Sequence, residues 1–355
     1  MNPFSMSDIP LNHVFTYTDV DRRFWEQHFE SWLPQRIIDA HIHIADPAFR
    51  IETVSDELRH SYWVMEVDEM MTIETAQHCF LTVLPGREVK CLAFGAPSPG
   101  WDVEANNAYL WEHLPALGHK SLAVVRPTWR GEQIEWLLSQ PGVIGLKPYY
   151  TLIGYDRHSR DRYLECSIFD MLPRWQLEVA DRERAWVTLH VPHAGRLGHP
   201  DNIREVRQIR QDYPGVRLVI AHLGRCYTIE HAREAFHQLA DDPGIYFDTS
   251  AVLNPEVARL AIEAFGVSRI LYGSDNPIFF MRGRRQFHGR NYVNRTSHPF
   301  HFNKEREPAS VEARYTLMMY EDILAIKTAC DQLGLGRAEV QRLFHDNARD
   351  LIGEI

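Results

Sequence analysis

Short apolar runs separated by longer amphipathic stretches organise the chain from residue 36 onward. The runs are RIIDAHIHI (36–44), VKCLAFG (89–95), SLAVVRP (121–127), GVIGLKPYY (142–150), AWVTLHV (185–191), RLVIAHLG (217–224), GIYFDTS (244–250) and RILYGSDNP (269–277). Each is rich in β-branched or aromatic residues and lacks strict alternation, the pattern of strands buried on both faces of a parallel sheet. Between them, helical apolar spacing predicts helices over 102–114, 130–140, 165–182, 201–213, 228–241, 255–265 and 311–333. Eight strands alternating with helices predict an α/β fold, a distorted (β/α)8 TIM barrel, with residues 1–355 forming one domain; the alternative is an open α/β sheet with a second domain. Residues 1–35 read as an N-terminal preamble, in which VDRRFWEQHFESWL has helical spacing and stops before Pro34. Two stretches exceed an ordinary loop, 45–88 after the first strand and 278–310 after the last, and loops of that length are often lids or binding loops.

Charge narrows the partners. A formal net charge of −10 sets aside nucleic acid, because the phosphate backbone would be repelled overall. No apolar run approaches the roughly 18–20 residues that cross a bilayer. The N-terminus has no basic start and no apolar core of a secretory signal, so a cytoplasmic protein without a membrane partner is expected. The five cysteines are scattered without C-x-x-C spacing, which suits reduced thiols. The 278–310 loop holds Arg282, Arg284, Arg285, Arg290 and Arg295 among aromatics. It reads equally as a lid that brings cations to an anionic substrate and as a subunit contact, so a small anionic metabolite and a homo-oligomeric partner are expected.

Nineteen histidines are more telling, because several end apolar runs. His41 and His43 are two residues apart in a strand and project to the same side, a spacing that suits zinc, manganese or iron. His190, His222 and Asp275 close the fifth, sixth and eighth runs. In a barrel these strand ends converge on one mouth, where active sites are found, and buried Asp is rare unless paired or coordinating.

RIIDAHIHI, TLHVPHAGR, RLVIAHLGR, RILYGSDNP and the closing FHDNARDLI together resemble the amidohydrolase superfamily, in its second amidohydrolase-related branch of metal-dependent hydrolases and decarboxylases. The resemblance implies that His41, His43, His190 and Asp275 hold one divalent ion, zinc first and manganese as the alternative. It also implies that His222 and Asp275 are the catalytic acid–base pair. Lys147, at the end of the fourth run, is open to three readings under the resemblance: a carbamylated bridge to a second ion, a partner for a substrate carboxylate, or a lysine reaching solvent. Arg126 and Arg225 follow strand ends and suit a carboxylate bidentately. His193 either touches substrate or caps its loop, and Asp248 in the seventh run reads as a supporting or a catalytic group.

The function expected from this set is hydrolysis of a lactone, ester or amide bond in a small carboxylated metabolite, through a water activated by the metal. One alternative is non-oxidative decarboxylation of an aromatic or unsaturated acid with nearly the same ligands. The other is a metal-binding barrel without turnover.

Overall fold

A computed structural model of the chain describes residues 8–67, 70–155 and 163–353. Its centre is an eight-stranded parallel sheet in sequential order: β1 (Arg36–His43), β2 (Glu88–Phe94), β3 (Lys120–Val125), β4 (Val143–Pro148), β5 (Trp186–Leu189), β6 (Arg217–Ile220), β7 (Ile245–Asp248) and β8 (Ile270–Leu271). Helices lie between the strands, and the sheet curls until its two edges meet. The seam is closed by backbone hydrogen bonds from Ala40 N–H to the Tyr272 carbonyl (2.9 Å), from Asp275 N–H to the His41 carbonyl (2.8 Å) and from His43 N–H to the Asn276 carbonyl (2.9 Å). Gly273 permits this approach: a Cβ there would stand 2.7 Å from the His41 Cβ and 3.2 Å from the Ser250 Cβ. The expected (β/α)8 barrel is the fold.

The strands are buried on both faces, as their continuous apolar runs require; in β1 every residue between Arg36 and His43 is buried. Two helices expected as continuous are broken. Pro173 splits 165–182 into Ile168–Met171 and Arg174–Arg182. The stretch 311–333 divides into Ala309–Glu312 and Met318–Gln332, because the buried Asp21 carboxylate accepts Thr316 Oγ1 (2.8 Å) and Leu317 N–H (3.1 Å) at the break. Asp21 sits in the preamble helix Asp19–His28, is paired there with Arg282, and so ties the preamble to the segment after β8.

Neither long stretch is a bare loop. Residues 45–88 contain the helices Asp56–Ser61, Trp63–Val67 and Ile73–Val83. The last buries Ile73, Ala76, Cys79, Phe80 and Val83, a helical apolar spacing that the sequence shows. Residues 278–310 contain an antiparallel hairpin, β9 (Gly283–His288) and β10 (Asn291–Thr296), turned through Gly289 at a φ of +56°. The two stretches meet over the barrel mouth. Glu66 accepts the backbone N–H of His301 and of Phe302 (3.1 Å for the latter), Trp63 packs edge-on to Phe279 and Phe302, and His60 stacks on His301 at 4.3 Å. All five cysteines are buried free thiols. Among the described residues no helix is long and apolar enough to cross a membrane.

Candidate functional site

The mouth is a cavity of about 440 Å³ lined by strand-end residues below and by the two covering stretches above. His41 and His43 come from β1, Lys147 from β4, His190 from the end of β5, His222 from the end of β6 and Asp275 from the seam beside β8. The turns that aim them are unusual. His222, Arg225, Ala251 and Asp275 all have positive φ, at 56°, 63°, 63° and 56°, a region that non-glycine residues rarely enter and that gathers at functional sites.

His41, His43 and Asp275 form one group whose ligand atoms all lie within 4.8 Å of one another; His41, His222 and Asp248 form a second. His41 Nε2 and His43 Nε2 both face the same Asp275 oxygen, at 3.4 and 3.2 Å. The far nitrogen of each ring also faces an acceptor: His41 Nδ1 lies 2.8 Å from Asp248, and His43 Nδ1 lies 3.2 Å from the Gly95 carbonyl. A neutral imidazole has one N–H and cannot satisfy acceptors on both sides. A cation between the rings and Asp275 removes the conflict. His190 stands apart from both groups, its ring centroid 5.2 Å from that of His222, and its Nδ1 is buried without a hydrogen-bond partner. That orphaned nitrogen and the imidazole–carboxylate donor set fit a divalent metal ion.

The supporting contacts are built for orientation. Asp248 accepts His222 N–H (2.9 Å) and Ser250 N–H (3.2 Å) while its other oxygen holds His41. His222 Nδ1 lies 3.1 Å from the Ser250 carbonyl, which places the ring proton on Nδ1 and leaves the Nε2 lone pair toward the cavity. Burial drives His222 down to about 4, against the pull of Asp275 and Asp248. Burial opposes the charge on Asp275, yet His222, His41 and His43 prevail and hold it well below the usual carboxylate range. Lys147 is fully buried, 4.4 Å from the Phe94 ring centroid, and burial lowers it to about 8 despite Asp248 and Asp275.

The other expected groups are placed differently. Arg225 lines the cavity, but its Nη1 donates to the carbonyls of Val191, Pro192 and His193, so part of its guanidinium braces the loop after β5. Arg126 and His193 do not line the cavity. Arg126 lies over Tyr155, while His193 binds Glu165 at 2.8 Å and stacks on His199. Five of the six arginines between 278 and 310 pair with carboxylates elsewhere, and only Arg285 of the six lines the cavity. Arg196, which sequence reasoning missed, lines it too. The signal for Arg285 is the H-G-R-N turn flanked by residues that alternate inward and outward. No sequence signal singles out Arg196.

The family model described as Amidohydrolase matches residues 38–353. Among solved structures, an amidohydrolase of Burkholderia multivorans with bound Zn is similar at a TM-score of 0.56 and 12% identity, covering 89% of this chain and 98% of that one. A 5-carboxyvanillate decarboxylase of Sphingomonas paucimobilis is similar at 0.54 and 12%, covering 90% and 99%. A probable 2-pyrone-4,6-dicarboxylic acid hydrolase of Acinetobacter baumannii, with citric acid bound, is similar at 0.51 and 16%, covering 89% and 99%. At these identities the likeness is one of fold. No curated protein sequence matches the chain.

Proposed function

The chain belongs to the amidohydrolase family, and from that premise we propose that it is a metal-dependent hydrolase of a small carboxylated metabolite, cleaving a lactone, ester or amide bond. One observation carries the reading: both nitrogens of His41 and both of His43 face acceptors, and the two rings converge on one oxygen of Asp275. In the proposal His41, His43, His190 and Asp275 hold the ion, with zinc preferred for three imidazoles and a carboxylate. When bound, the ion supplies Lewis acidity, lowering the pKa of water toward ~7 and polarising a carbonyl oxygen.

The rest of the chemistry belongs to side chains of the chain. Asp275, held ionised by its histidines, takes the proton of the attacking water and returns it to the leaving oxygen or nitrogen. His222 offers a fixed Nε2 lone pair on the same cavity and steadies the proton in transit. Lys147 pairs with a substrate carboxylate, because a lysine buried beside the ligands has no reason to remain there as a solvent charge. The covering stretches exclude water once substrate is in place.

The test is to strip the protein with a chelator, reload it with zinc or manganese, and screen lactones, esters, amides and aromatic carboxylates. Hydrolysis that disappears on stripping and returns with one metal is the expected result. Carbon dioxide release without hydrolysis would replace the reaction by decarboxylation, and a protein that binds no divalent ion would end the proposal.

A further inference from the structure

The arginines of the 278–310 stretch have different fates. Arg282, Arg284, Arg290, Arg295 and Arg306 each pair with a carboxylate: Asp21, Glu307, Glu234, Glu305 and Glu312. Arg285, in the middle of β9, has no carboxylate within salt-bridge distance among the described residues, yet it is 8% exposed. An unpaired buried cation is costly, so its environment must either compensate it or await a partner. The compensation present is only partial. Arg285 Nε donates to Asn294 Oδ1 at 2.9 Å, its cross-strand neighbour, and Nη1 donates to the Ala251 carbonyl. Its guanidinium carbon lies 4.1 Å from the Tyr292 ring centroid, 5.3 Å from that of Tyr227 and 5.8 Å from that of Phe279. The aromatic rings embrace the charge without neutralising it. A guanidinium carries five N–H groups and the bonds above use two, leaving three on a residue that lines the cavity.

Arg196 repeats the pattern from another element. Its Nη1 serves the Arg225 carbonyl and His231 Nδ1, both at 3.1 Å, and its guanidinium carbon lies 5.0 Å from the same Tyr227 ring. It too has no carboxylate partner among the described residues and lines the cavity. Two guanidiniums with no carboxylate partner among the described residues therefore share one tyrosine on the β5–β7 side of the mouth. The His41, His43 and Asp275 group occupies the β1–β8 seam.

We propose that Arg285 and Arg196, set about Tyr227, form a second anion subsite that takes a carboxylate of the substrate other than the one near Lys147, so that the substrate is a dicarboxylate. This rests on the hydrolase reading above and narrows its substrate class. A planar carboxylate suits the site because N–H groups of both guanidiniums remain beyond the bonds they make, and N–H pairing of a guanidinium with a carboxylate is edge-on and orienting. Anchoring the distal end of the substrate fixes the scissile bond against the seam, which is how remote binding energy serves catalysis.

The experiment is calorimetric titration of the zinc-loaded protein with linear dicarboxylates, malonate through pimelate, each beside its monomethyl ester. The best-fitting length should bind at least tenfold tighter than its ester. That preference should fall below threefold in Arg285→Met, and in Arg196→Met, which leaves the hairpin bonds of Arg285 intact should the first variant misfold. Arg284→Met, whose arginine pairs with Glu307, should keep the tenfold preference. A preference absent at every length, or unchanged in both variants, would overturn the subsite. Inorganic phosphate binding more tightly than any dicarboxylate would overturn the carboxylate assignment. Hydrolysis of a monocarboxylated lactone is read separately: activity without dicarboxylate preference removes the subsite alone, and preference without activity removes the reaction alone.

Discussion

His119 stands just before β3 at the base of the barrel and His222 just after β6 at its mouth; both are buried, and loss of solvent holds each near a pKa of 4. The shift is shared and the surroundings are not. His119 accepts the Cys91 N–H through Nδ1 at 3.3 Å, lies edge-on to Phe80, and has Lys90 as its neighbouring charge. His222 is gripped on Nδ1 by Ser250, faces Asp275 and Asp248, and presents Nε2 to a cavity. A perturbed histidine is therefore a sign of burial first. It becomes a sign of chemistry only where carboxylates and open space converge on it. The barrel separates the two cases by end, because loops after the strands build the site and loops before them build stability.

The largest effect that would sharpen this contrast is at Asp275. Asp275→Asn keeps the shape, and asparagine tolerates the positive φ of 56° at that position. Turnover should fall by roughly 10²–10⁴-fold, the scale of a lost acid–base group, with unfolding still cooperative. His119→Asn, which retains an acceptor for the Cys91 N–H, should leave turnover unchanged. An Asp275→Asn enzyme within a tenth of the wild-type rate, or a His119→Asn enzyme that is inactive, would break the division between the two ends.

The strand-end residues were legible because strands buried on both faces are written as continuous apolar runs, and a barrel carries all their ends to one side. His41, His43, His190, His222 and Asp275 follow from that geometry alone. The contacts over the mouth were not legible. Arg285 reaches the cavity through a hairpin register, and Arg196 through a turn. Arg126 and His193 carry the right chemistry at the right strand ends, but local partners hold them out of the cavity: the Tyr155 ring for one, Glu165 and His199 for the other. Side-chain partners distant in sequence decide such cases, and periodicity does not encode them.

His119 has its folded pKa depressed to about 4 from 6.5, so between those values the unfolded chain binds a proton that the folded chain refuses. The neutral imidazole's contribution is whole above pH 6.5 and is lost as pH falls toward 4. By pH 5 the wild type should lose about 2 kcal/mol more than His119→Asn, read from urea unfolding at pH 7 and pH 5. Equal losses in the two proteins would mean that His119 titrates normally and that burial at the base is less complete than the structure has it.

The smallest effect is at the outer layer of the mouth, where Glu66 joins the two long stretches. Its carboxylate accepts the N–H groups of His301 and Phe302, and Trp63, three residues earlier, packs on Phe279 and Phe302. The pair is partly solvated, so two charge-assisted bonds are worth about 1 kcal/mol here, well below their value in a dry interior. Glu66→Ala should therefore populate an open cover and raise KM about fivefold while leaving kcat within a factor of about two, since 1.4 kcal/mol corresponds to tenfold. Asp275→Asn acts in the opposite sense, on kcat, and the pair of variants separates covering from chemistry within the same cavity. Whether the cover is a lid or a subunit contact is read in the same protein. A lid gives a KM change that is independent of protein concentration, with unchanged mass in solution. A subunit contact gives a change that grows on dilution and a smaller mass for Glu66→Ala. No change in either quantity would leave Trp63 and its aromatic partners as the whole of the closure, and Trp63→Ala would then have to carry the KM effect that Glu66→Ala lacked.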